Sequence, residues 1–147
     1  MRSQEEIAAI ADAMNGGIVW NQAKYMFPDS IYEGLDEDEQ MDKAVERWIE
    51  LCRRLGYTFK RSTFVGNMSR RYVRIVCKGE RGEVAIKQSQ SGMVVKHHEH
   101  WDIAVYVDGS RAYERHDWGC IRVDESAYLI DMMCEYVGCA RRTEAML

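Results

Sequence analysis

Between residues 57 and 115, runs rich in β-branched and aromatic residues follow one another with only a few turn residues between them. The runs fall at 57–65, 72–77, 83–88, 93–96, 102–107 and 110–115. A parallel crossover needs about a dozen residues or more, and none of these connections has that length, so the sheet is expected to be mainly antiparallel. Asp108-Gly109 between two such runs is the strongest hairpin signal, because Asp-Gly tolerates the positive φ angles of a tight type I′ turn. A two-residue turn there pairs Val107 with Ser110, sets Asp102 opposite Arg115, and carries His116 one step beyond, towards Trp101 and His100.

The flanks read differently. Ser3-Gln4-Glu5-Glu6 has the form of a capping box, and Ile7, Ile10, Ala11 and Met14 follow at helical spacing up to Asn15-Gly16-Gly17. The segment 18–35, with Trp20, Tyr25, Phe27, Tyr32 and the sole proline Pro28, reads as a turn of helix and a loop pinned by aromatics. Acidic Asp36 to Glu39 complement the dipole of a second helix start. Met41, Ala44, Val45, Trp48, Ile49, Cys52 and Leu55 then form its apolar stripe, and Gly56 stops it. A last strand over 119–123 leads to Asp124 as the N-cap of a final helix marked by Ala127, Ile130, Met133, Cys134 and Val137 and stopped by Gly138. The expected architecture is a single α+β domain over 1–147: a helical part over 1–56, an antiparallel sheet of five to seven strands over 57–123, and a C-terminal helix over 124–138.

At 147 residues, with 46% hydrophobic and 30% charged side chains, the chain has the length and composition of one packed domain. No apolar run is long enough to span a bilayer, and the N-terminus enters a charged amphipathic segment rather than a signal core; a cytoplasmic protein with no membrane association is expected. Cys52, Cys77, Cys120, Cys134 and Cys139 are odd in number, widely spaced and without a C-x-x-C pair, which argues against a disulfide framework or a zinc ribbon and for inert core thiols in a reducing compartment.

The net charge of −4 is unevenly spread. Residues 57–90 carry eight basic against two acidic side chains, while the segments on either side are net acidic. Strand alternation places Arg70, Tyr72 and Arg74 on one face, two guanidinium groups flanking a phenol, a combination suited to nucleotide or single-stranded RNA binding. The competing reading is a wet sheet face whose cations are paired within the molecule. The acidic total argues against nonspecific binding of duplex DNA.

All four histidines, His97, His98, His100 and His116, lie close together in sequence. On an extended segment His98, His100 and Asp102 share a face, and two imidazoles with a carboxylate can hold Zn²⁺ or another divalent metal, with His116 joining across the hairpin. Read as catalytic groups, His98, His100 and His116 would act as acid and base on a phosphodiester. The H-x-H-x-D spacing from His98 to Asp102 resembles the metal-binding run of the metallo-β-lactamase superfamily. The resemblance covers five residues, and Ile103 stands where that family continues with a histidine, so the family is not assigned. Trp101 and Trp118, beside the histidines, are expected to be exposed binding anchors.

No phosphate-binding glycine loop, nucleophile elbow or zincin helix occurs in the sequence. The leading expectation is therefore a non-enzymatic, cofactor-free binding or inhibitor protein that occludes a macromolecular partner, most plausibly a protein. In style it matches phage or mobile-element inhibitors of nucleic-acid-handling machines. The alternatives are a small metal- or histidine-dependent phosphoesterase or nuclease, and a nucleotide or RNA binder acting through Arg70, Tyr72 and Arg74.

Overall fold

The structure, a computed structural model, describes residues 1–16, 24–65, 71–90, 99–117 and 121–142. Within them lie helix α1 (Gln4–Met14), a 3₁₀ turn (Asp29–Tyr32), helix α2 (Glu37–Leu55), strands β1 (Lys60–Val65), β2 (Arg71–Lys78), β3 (Gly82–Gln90), β4 (Glu99–Val107) and β5 (Ser110–Asp117), and helix α3 (Val123–Val137). No helix among the described residues is long and apolar enough to cross a membrane.

Local chemistry sets most of the element ends. The Ser3 hydroxyl accepts from the Glu6 amide at 3.2 Å while Glu6 reaches back, completing the expected capping box of α1. The acidic start of α2 is more than a dipole complement: Asp36 accepts from the Glu39 amide at 2.9 Å and Glu39 returns the contact, making a second capping box. The Glu39 amide above all holds the Asp36 carboxyl below the usual aspartate range. Gly56 and Gly138 end α2 and α3 with φ of 94° and 77°, the left-handed geometry glycine reaches without steric cost. Asp124 does not cap α3. The helix begins one residue earlier, with Arg122 as its N-cap and no side-chain cap, and Asp124 instead binds the Arg122 guanidinium at 3.0 Å. The expected strand over 119–123 is reduced, within the described residues, to an isolated bridge between Arg122 and Tyr25.

The sheet is an antiparallel meander in the order β1-β2-β3-β4-β5. The proposed strand at 93–96 lies outside the described residues. Asp108 and Gly109 both have positive φ, 51° and 79°, and Val107 pairs with Ser110, as the turn chemistry requires. Beyond that point the register departs from simple counting. A bulge between Val105 and Tyr106 advances β5 by one residue, so Asp102 faces His116 and Arg115 faces Ile103.

All three α-helices lie on one side of the sheet. Val73, Ile75, Val84, Ile86, Ile103 and Val105 point into that side and are buried against Trp48, Leu51 and Leu55 of α2 and Ile130, Met133 and Val137 of α3. Polar groups here are few. The Trp48 indole, packed edge-on to Phe27, donates to the Gln88 side chain at 2.9 Å. The wholly buried Asp131 accepts from the Tyr57 hydroxyl at 3.1 Å and from the Arg2 amide at 2.8 Å. Burial, and then the Asp131 charge, push the Tyr57 phenol well up. Buried Arg47 donates to the carbonyls of Met14, Tyr25 and Met26, tying the end of α1 and the aromatic segment to α2, and its burial lowers the guanidinium from its ordinary value.

Candidate functional site

Among the described residues the other side of the sheet carries no helix, and two clusters of chemistry follow from this layering. The first is the open face itself. Alternation turns Arg74 and Val76 of β2, Glu83, Ala85 and Lys87 of β3, Asp102, Ala104 and Tyr106 of β4, and Glu114 and His116 of β5 away from the helices. Cross-strand pairing aligns Ser62, Arg74, Lys87, Asp102 and His116 in one row, and Val76, Ala85, Ala104 and Glu114 in the next. Ala85 and Ala104 are buried by their neighbours even on this uncovered side. The centre is thus small and apolar, with charge around it.

That charge is largely paired. Arg74 binds Glu83 at 3.0 Å, Lys87 binds Asp102 at 3.1 Å, and Arg111 binds Glu114 while lying over the Tyr106 ring. His116 has Nδ1 on the Asp102 carboxylate and Nε2 on the Glu114 carboxylate. The two carboxylates address opposite edges of one ring, so a single ion cannot share the imidazole with both. The basic excess of the early strands is dispersed in the same way, because Arg61 turns to the helix side and binds Asp42 of α2 at 2.6 Å.

Of the residues singled out from sequence, Asp102, His116 and Arg74 are brought onto one face and one row. Tyr72, His100 and Trp101 occupy strand positions, opposite Phe64, Ser89 and Gln88 respectively, with side chains outside the described set. His97, His98, Arg70 and Trp118 lie outside the described residues.

The second cluster was missed by sequence reasoning. The sulfurs of Cys77, Cys134 and Cys139 all lie within 4.8 Å of one another, the first two buried and the third half-buried. Cys77 shares the inward parity of Val73 and Ile75 in β2, Cys134 lies on the apolar stripe of α3, and Cys139 follows the Gly138 stop. Those three positions were the available signal. The turn after α3 folds back by a bond from the Cys139 amide to the Cys134 carbonyl at 2.9 Å, and Cys139 then bridges to Gly79 at the end of β2. Hydrogen bonding with Cys134 and Cys139, and then with the Thr58 amide, holds the Cys77 thiol well below its ordinary value. Cys134, whose thiol is hydrogen-bonded with Cys139 and Cys77 and is buried, is pushed far up. Cys52 of α2 is buried beside this group, and burial raises its thiol. Three of the cysteines expected as core thiols are thus gathered into one cluster.

No family model, no curated protein and no solved structure matches the chain.

Proposed function

We propose that the protein is a non-enzymatic binding protein that occludes a protein partner with the open face of its sheet. The observation that carries this reading is the layering: all three helices cover one face, and the other presents an apolar centre of Val76, Ala85 and Ala104 ringed by charges of both signs. A mixed-sign rim around a dry centre complements a protein surface better than it does a polyanion, which draws on unpaired positive charge. Arg74, Lys87 and Arg111 each already hold a carboxylate. A histidine that is to move a substrate proton needs a ring nitrogen free to reach it, and both nitrogens of His116 are engaged by carboxylates.

The test is Val76→Lys, which puts a charge in the apolar centre at a half-exposed position and is expected to change folding stability by no more than about 0.5 kcal/mol. A stoichiometric partner that co-purifies with the unaltered chain should be lost from this variant and retained by Tyr128→Ala on the helix side. The reading fails if no stoichiometric partner is recovered from native lysate. It fails equally if Val76→Lys keeps the partner.

A further inference from the structure

We propose that Cys77, Cys134 and Cys139 form a binding site for Zn²⁺, independent of the open face. Thiolate sulfur is the ligand that selects thiophilic d¹⁰ ions, and three such ligands with a fourth position left open are a sufficient tetrahedral set. Sulfurs each about 2.3 Å from a tetrahedral ion lie roughly 3.8 Å apart. The three sulfurs here lie within 4.8 Å of one another, a spread that small side-chain rotations close without moving the backbone.

The backbone that presents them is fixed by contacts of its own. A Cβ on Gly79 would stand 2.3 Å from the Val137 carbonyl oxygen and 2.7 Å from the Cys139 amide, so only glycine lets the end of β2 press against the end of α3. The Arg81 amide donates to the Val137 carbonyl at 2.9 Å, and the Arg81 side chain binds the Tyr136 carbonyl and lies over its ring. Two elements distant in sequence are thereby clamped with their cysteines facing each other. Such a clamp lowers the ordering cost of binding, the chief cost of assembling ligands from separate elements. Burial of Cys77 and Cys134 keeps bulk water from the ion, while half-exposed Cys139 gives it a way in. A disulfide would use only two of the three sulfurs; a metal ion uses all of them.

Binding replaces whatever S–H protons the three sulfurs still carry with three Zn–S bonds and releases those protons to solvent, with no change in oxidation state. The whole chain, reduced and freed of metal, should take up Zn²⁺ one-to-one in equilibrium dialysis with Zn²⁺ alone. The half-exposed Cys139 thiol should become unreactive to a thiol reagent on uptake. With Co²⁺ as the probe, the unaltered chain should show intense sulfur-to-cobalt charge-transfer absorption. Cys139→Ser, at the exposed corner, should bind at least about tenfold more weakly, since losing a ligand costs no less than losing a group that merely orients one. Circular dichroism of that variant confirms that it folds. The proposal is overturned if the chain takes up no Zn²⁺, if Co²⁺ binds without charge-transfer absorption, or if Cys139→Ser binds as tightly as the parent. The Co²⁺ spectrum of the unaltered chain decides the matter should the variant fail to fold. Failure of this site leaves the open-face reading standing, because the two rest on different faces and different assays.

Discussion

On the helix-covered side of the sheet, the polar groups are few, buried and held by partners fixed within the core; on the open side they are many, partly exposed and shared along strand rows. Trp48 with Gln88 and Asp131 with Tyr57 and Arg2 belong to the first kind, and the chain of contacts from Lys87 through Asp102 and His116 to Glu114 to the second. Removing one partner of a buried pair strands the other without water. On the wet face the solvent takes its place. The covered side should therefore govern whether the chain folds, and the open side what the folded chain meets.

Stability measurements can break this contrast. The largest loss is expected for Trp48→Ala, which empties a fully buried site and abandons the Gln88 carbonyl, about 4 kcal/mol by urea denaturation. Asp131→Ala should follow at about 3 kcal/mol, because Tyr57 and the Arg2 amide both lose their buried acceptor. On the open face, His116→Ala should cost no more than about 0.5 kcal/mol, the ring being largely exposed and its carboxylate contacts open to solvent. A loss there as large as that at Asp131 would mean that the two faces are not distinct in kind.

The smallest effect sharpens the contrast through pH. The Asp36 carboxyl is lowered on folding, chiefly by the Glu39 amide, so its contribution is present above its unfolded value, near 3.8, and is lost as pH falls through the folded value. Asn is as good an N-cap as Asp. Asp36→Asn should therefore leave the melting temperature near neutrality almost unchanged and flatten its fall on acidification below that value. An unchanged acid slope would show that the cap does not take part in the pH dependence.

Much of this architecture was legible because its signals are local. The Ser3 and Glu6 box, the Gly56 and Gly138 stops and the Asp108-Gly109 turn each depend on residues a few positions apart, and the structure places them as expected. The inward parity of Val73 and Ile75 was equally readable. What could not be read were non-local or unsigned features. The bulge at Val105 and Tyr106 carries no glycine to announce it, yet it moves His116 from one step past Asp102 to directly opposite. The start of α3 at Val123 lacks a capping side chain, so the nearest good capping residue, Asp124, drew the expected cap two positions past Arg122. The cysteine cluster needed the end of β2 to be brought against the end of α3, a contact made by Gly79 and the turn at Gly138 rather than by any pattern in the spacing of the cysteines.

The seating of α1 bears on how the chain is made. This helix packs more on α3 than on α2, and Arg2 just before it donates its amide to Asp131 in the middle of α3. On a ribosome α1 emerges before α3 and must therefore wait for it. Until residues 123–137 are out, Ile7, Ile10 and Met14 have only part of their cover, and the inner face of the sheet still lacks the helix that seals it. A nascent chain stalled before residue 123 presents both apolar surfaces at once, and is the form most exposed to chaperones, proteases and self-association.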